Sequence, residues 1–238
     1  MRHALRFIYD TAAKTAVPKI PFSELATATY CPRKLYYQRR DDIEIPDLVT
    51  ERRALAFEYD ELLAADSADL TARPIAVSPG QLRSNLDLAT DFDAWPELVS
   101  PSDRERLTEG KECRGIVHKV LDLETPVPSM IFTGAPPEHG VWEAQTVRTV
   151  AAAKALSWEH ERMVERAFVE YPAYGVVREI RLGTRRKAAY RRAVRTARAI
   201  DGPPPRLNNR SKCEACEYRA ECGVKTRSLR SLLGSLGG

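Results

Sequence analysis

The chain has 238 residues, 43% hydrophobic and 29% charged, with a formal net charge of +4 at pH 7. That length supports one large domain with a real core, and the small positive excess leans toward acidic partners without by itself defining a nucleic-acid binder. No apolar run is long enough to span a bilayer, the opening residues do not read as a signal peptide, and five cysteines are an odd number for a disulfide framework. A cytoplasmic protein with no membrane partner is expected.

Residues 1–20 are weakly patterned and read as an extension. Ser23 is a predicted N-cap for a helix starting at Glu24, and Pro32 either interrupts that helix or opens a second one. Cys31 to Arg40 interleaves Arg33, Lys34, Arg39 and Arg40 with Tyr36 and Tyr37. Cations among aromatics suit a nucleic-acid strand, through phosphate pairing and base stacking. The plainer reading is a helix surface with snorkelling cations. Asp41 to Pro46 reads as a loop. Residues 50–65 read as a helix carrying Leu55, Tyr59, Leu62 and Leu63 at helical spacing. Residues 66–110, broken by Pro74, Pro79, Pro96 and Pro101, yield no assignment.

Residues 112–124 are rich in β-branched residues and read as a strand, with Val127 to Thr133 as its hairpin partner. After a Pro-Gly loop at 134–140, one long helix is expected from Trp142 to Glu170, with Val147, Val150, Ala151, Met163, Val164 and Ala167 as its apolar stripe. Ala173 to Leu182 reads as a strand. Thr184 to Ile200 reads as a helix with seven cations and no acid: Arg185, Arg186, Lys187, Arg191, Arg192, Arg195 and Arg198. Lys187, Arg191, Arg195 and Arg198 share one face, while Tyr190, Val194, Ala197 and Ile200 share the face expected to pack inward. Such a stripe is an electrostatic footprint for a phosphate backbone, against the plainer reading of a solvated face.

Cys213, Cys216 and Cys222 form a C-x2-C-x5-C triplet among charged residues. Three thiols are one ligand short of the four that zinc or an iron–sulfur cluster takes. Spacing alone leaves both Cys31 and Cys113 as the fourth. A metal centre here would pin distant segments of the chain together.

Phe22-Ser23-Glu24-Leu25, ahead of Cys31-Pro32-Arg33-Lys34-Leu35-Tyr36-Tyr37, resembles the opening of the CRISPR-associated RecB-like exonucleases, the fourth numbered Cas family. Gly183 to Cys222 is similar to their C-terminal part: a basic helix, a Pro-Pro breaker, then Lys-Cys-x-x-Cys-x-Tyr-x-x-x-Cys. The resemblance covers roughly residues 20–225. It implies an α/β, restriction-endonuclease-like PD-(D/E)xK core over 21–225, a short mixed sheet flanked by helices, with a tail at 226–238. It implies a 4Fe–4S cluster on Cys31, Cys213, Cys216 and Cys222, joining the N- and C-terminal segments. It also implies DNA, single-stranded or with an overhang, and CRISPR integrase proteins as partners in antiviral defence. The nucleic-acid face would include Arg33, Lys34, Lys187, Arg191, Arg195 and Arg198.

The implied nuclease needs carboxylates and a Lys around Mg or Mn. The family's Gly-x-x-Asp falls on Gly115-Ile116-Val117-His118, placing His118 where the Asp belongs. The Glu-x-Lys strand falls on Met130 to Gly134 without Glu or Lys, the Gln-led helix motif falls near Gln145 and Arg148, and the first-helix His falls on Tyr59. A degenerate hydrolytic centre is therefore expected, with no catalytic residue assigned and His118 as a residual divalent-metal position. Three alternatives follow. One is an active metal-dependent exonuclease using a non-standard set from Asp87, Asp122 or Glu124 with His118. Another is a zinc-stabilised DNA-binding or interaction module. The third is a detached relative of the iron–sulfur nuclease domain of helicase–nuclease repair complexes, although the sequence has no Walker A loop.

Overall fold

The computed structural model describes residues 18–41 and 46–223. Most of the expected extension at 1–20, residues 42–45 of the expected loop and the tail at 226–238 lie outside them. The described elements are β1 (Ile20–Pro21), α1 (Phe22–Tyr30), α2 (Pro32–Gln38), α3 (Asp47–Ala54), α4 (Tyr59–Ala64), α5 (Ser67–Ala72), α6 (Pro79–Thr90), α7 (Trp95–Val99), β2 (Asp103–Glu109), β3 (Cys113–Asp122), β4 (Pro126–Ile131), α8 (Glu143–Glu159), β5 (Arg166–Tyr171), β6 (Val176–Arg181), α9 (Thr184–Arg198) and α10 (Arg210–Glu214). Single 3-10 turns lie at Leu55–Phe57, Pro172–Tyr174 and Glu217–Arg219.

The strands form one six-stranded mixed sheet flanked by helices. Antiparallel β2, β3 and β4 form a meander; β5 then adds parallel to β4 after the α8 crossover, and β6 closes antiparallel to β5. The short β1 adds parallel to the start of β3. On one face Leu25, Val150, Ala152, Tyr190 and Val194 pack α1, α8 and α9 over Val117 and Val169. On the other, Leu62, Leu82 and Leu98 pack α4, α6 and α7 over Leu121 and Phe168. Alanines 151–153 and Ala155 are fully buried, so small side chains let α8 sit deep in the layer. Gly115 serves the same end, because a Cβ there would lie 2.6 Å from the Phe22 ring.

Three expectations change. The long helix stops at Glu159: Glu161 adopts φ +51, and residues 166–171 are a strand. β5 is buried on both faces, and such a strand reads as a continuous apolar run rather than an alternation. Met163, placed in the predicted stripe, is 67% exposed. The helix expected over 50–65 breaks at Glu58, where φ is −129, between a 3-10 turn and α4. Ser23 caps nothing, since α1 begins at Phe22 behind Pro21. Pro32 does open a second helix, at its first turn, with Cys31 as the extended residue between the two. The unassigned stretch holds α5, α6, α7 and β2; the Asp66 side chain caps α5 and the Ser78 side chain caps α6.

The break at Glu58 serves a buried ion pair. Lys119 on β3 donates from Nζ to the carbonyls of Ala56 (2.5 Å) and Leu98 (2.6 Å) and to Oε2 of Glu170 on β5 (2.7 Å). The Tyr59 hydroxyl donates to the same Oε2 at 2.8 Å, and Ser129 on β4 donates to Oε1 at 2.5 Å. Lys119 and Glu170 are both fully buried. Burial pulls the ammonium toward neutrality, and the Glu170 carboxylate opposes it. Burial, reinforced by Glu170, keeps the Tyr59 phenol protonated. Breaking a satisfied buried pair costs about 3–5 kcal/mol because one charge is left uncompensated. Glu170→Leu should therefore lower unfolding stability in urea by about that amount, and Lys119→Met with Glu170→Leu should recover only part of it, because the Ala56 and Leu98 carbonyls and the Tyr59 and Ser129 hydroxyls lose their partners. Equal stability of the single variant and wild type would contradict the structural role given to the pair.

Candidate metal centre and nucleic-acid interface

α2 sits against the C-terminal cysteine segment. Lys34 pairs with Glu217 at 2.9 Å, Arg33 donates to the Pro204 carbonyl at 2.9 Å, and the Tyr37 ring stacks on Tyr218 at 5.3 Å. This docking brings Cys31, Cys213, Cys216 and Cys222 to the wall of one small cavity, which Tyr30, Tyr37 and Tyr218 also line. None of the four is in a disulfide. Burial raises the Cys216 thiol, nearby Glu217 and Cys31 add to that, and Lys34 opposes it. Arg33, Lys34, Arg206, Lys212 and Arg219 also line the cavity. Four thiolates around zinc or an iron–sulfur cluster leave a net negative charge, and these cations suit it.

Cys113 lies elsewhere. It is buried on β3, in contact with the Ala151 carbonyl at 3.7 Å and the Tyr190 hydroxyl at 3.3 Å. Burial pushes its thiol up to about 11. Of the two cysteines that spacing left open, Cys31 shares the cavity with the triplet and Cys113 does not line it. Among the described residues no three His, Cys, Asp or Glu side chains are grouped around the point a single metal ion would occupy. What the four thiols share is a cavity.

At the position expected for the nuclease aspartate, His118 is buried and its Nδ1 accepts from the Ile131 N–H at 2.9 Å. The β3–β4 ladder ends at Lys119–Ser129, so the imidazole takes up a backbone donor where the two strands part. Burial lowers the His118 pKa well below the ordinary value, and Arg148, Arg53 and Lys119 lower it further. Its charged neighbours are thus cations. Asp122 and Glu124 lie further along β3 and beyond its end, and Asp87 is exposed on α6. Tyr59 is committed to Glu170, and Gln145 accepts from the Tyr171 hydroxyl at 2.5 Å.

α9 presents the predicted two faces. Tyr190, Val194 and Ala197 are buried with Ala189 and Ala193, and Ile200 packs against the core's edge. Arg185, Arg191, Arg192, Arg195 and Arg198 are exposed. Arg192 approaches Glu143 at 3.5 Å and Arg198 approaches Glu112 at 3.7 Å. Among the described residues, Arg185, Lys187, Arg191 and Arg195 have no carboxylate within ion-pair distance. Two open grooves of about 810 and 610 Å³ meet beside this helix, sharing Met163, Leu182 and Lys187. Lys154, Trp158 and Arg162 line the second, and Trp158 is 57% exposed. Of the remaining expected nucleic-acid residues, Arg33 and Lys34 are used in joining α2 to the C-terminal segment.

Sequence reasoning did not single out Lys119, Glu170, Arg53 or Trp158. Lys119 follows His118 directly, but only the alternation of faces along a strand, combined with knowledge of what covers each face, marks it as buried. No helix among the described residues is long and apolar enough to cross a membrane. The chain matches no protein-family model and no curated protein.

If the cavity holds a metal centre through Cys31, Cys31→Ala and Cys216→Ala should each lower bound metal per chain in protein purified without oxygen, and Cys113→Ala should leave it unchanged. The reverse pattern, read by elemental analysis, would contradict the assignment.

Proposed function

We propose that this chain is an iron–sulfur DNA-binding protein of the PD-(D/E)xK nuclease fold, resembling the CRISPR-associated RecB-like exonucleases, with a degenerate hydrolytic centre. The observation that carries the DNA-binding reading is the exposed face of α9, with Arg185, Lys187, Arg191 and Arg195 free of ion pairs among the described residues. The mixed sheet flanked by helices and the four thiols on one cavity support the family reading. In this reading a 4Fe–4S cluster, when bound, would supply a cross-link between segments far apart in sequence, with no redox step required of it. The α9 cations neutralise backbone phosphates and release condensed counterions. Trp158, exposed in the adjoining groove, offers a stacking surface for an unpaired base, which favours single-stranded DNA or an overhang. The resemblance points to the integrase proteins of spacer acquisition as partners.

The same four thiols would also suit zinc. Iron and acid-labile sulfide in anaerobically purified protein support the cluster; zinc without either would leave the DNA-binding reading standing on a zinc-stabilised scaffold.

The direct test is anisotropy of a labelled single-stranded oligonucleotide across a salt series. Arg191→Ala with Arg195→Ala should weaken binding at least tenfold near 0.1 M salt. It should also reduce the slope of log K against log salt by about 0.7 for each phosphate that is no longer neutralised. An unchanged affinity and slope would refute α9 as the interface.

A further inference from the structure

Two of the cations that act on His118 each have a nitrogen without a partner. Arg53 on α3 and Arg148 on α8 each hold a buried Nε with no hydrogen-bond partner. Arg148 makes no ion pair among the described residues, and its guanidinium lies 5.7 Å from the centre of the Phe132 ring. Arg53 has one loose carboxylate neighbour, Glu105 at 3.8 Å, whose side chain is 55% exposed. Burial holds Arg148 down to about 10, and the Arg53 guanidinium lowers it further. A neutral His118 whose Nδ1 accepts carries its proton on Nε2, which leaves one more N–H to donate. Arg52 donates to the Thr133 carbonyl at 3.5 Å and Tyr171 donates to Gln145, so both arginine-bearing helices are tied down near the parting of β3 and β4.

Burying a guanidinium nitrogen without a partner is costly, and a second cation nearby adds to the cost. An anion between them would reverse that sign. Planar forked donors match the oxygens of a phosphate group in particular. We propose that Arg53, Arg148 and His118 form an oxyanion seat for one backbone phosphate of a nucleic-acid strand. A hydrolytic centre of the expected fold uses carboxylates to hold a metal ion that in turn holds the phosphate; here the cations would hold the phosphate directly. The choice of a nucleic acid as the source rests on the DNA-binding reading above, whereas the seat itself does not.

The test uses the full chain with two probes, inorganic phosphate and a twelve-nucleotide single strand. Readouts are the NMR resonances of His118 and oligonucleotide affinity across a salt series. Both probes should shift the His118 ring signals in wild type. Arg53→Gln and Arg148→Gln should each weaken oligonucleotide binding about tenfold and reduce the salt slope by about 0.7, the amount expected for one phosphate. Arg148→Lys keeps the charge while removing the fork, and should fall between Arg148→Gln and wild type. If Arg148→Gln does not fold, the more accessible Arg53→Gln and the wild-type titration carry the test. Phosphate shifting His118 while the oligonucleotide does not bind would uphold the seat for a free phosphate and sink the nucleic-acid source. Oligonucleotide binding that depends on Arg191 and Arg195 but leaves His118 and the Arg53 and Arg148 variants unaffected would overturn the seat and keep the DNA-binding reading. No His118 shift with either probe would overturn the seat outright.

Discussion

The Lys119–Glu170 pair sets the geometry on which the rest depends. Glu170 stands on β5 and takes bonds from β3, β4 and the helical layer, so one carboxylate joins three neighbouring strands to the cover above them. Lys119 in turn consumes the carbonyls of Ala56 and Leu98, which otherwise would lie buried without donors. This explains why the chain leaves helical geometry between α3 and α4. A continuous helix would use the Ala56 carbonyl internally and leave the ammonium two of its three partners. A pair of this kind adds little net stability over apolar residues of the same volume. It does penalise any register in which the two charges fail to meet.

The same strand then presents His118 next to Lys119. Where β3 and β4 part, the imidazole accepts the Ile131 N–H that no backbone carbonyl takes from β3. The electrostatics there are those of a cation cluster. Burial first, and then the Arg148 and Arg53 guanidiniums, hold the imidazole well below its ordinary pKa, and these cations also oppose the approach of a divalent ion. The place where β3 and β4 part thus carries cations beside the imidazole. Such a charge pattern suits a phosphate anion better than a divalent metal ion.

Legibility from sequence follows periodicity and local chemistry. α9 is readable because fifteen residues keep apolar and cationic positions on separate faces. β3 and β4 are readable from their β-branched composition. β5 is not, because burial on both sides removes the alternation that separates a strand from an extension of α8. The four elements between 66 and 110 are short, and the prolines there draw the eye away from the caps at Asp66 and Ser78; yet Pro79 sits at the start of α6, where proline is tolerated. The spacing of the cysteine triplet suggests a thiolate site, but which further cysteine lies beside it needs three dimensions: Cys31 lines the same cavity and Cys113 is buried on β3. Arg33 and Lys34 read as a binding face because cations among aromatics look alike whether the partner is a strand of nucleic acid or the chain's own C-terminal segment. The Arg53–Arg148 juxtaposition, between residues 95 positions apart in sequence, leaves no local signal.

The central proposal is DNA binding without hydrolysis. It is tested most directly by incubating anaerobically purified protein with end-labelled single- and double-stranded DNA in Mg or Mn, and resolving complexes and products from the same reactions. The account predicts a salt-sensitive shifted complex with intact DNA. Metal-dependent cleavage that is abolished in His118→Ala would contradict it, and would mean that a working site has been rebuilt around β3.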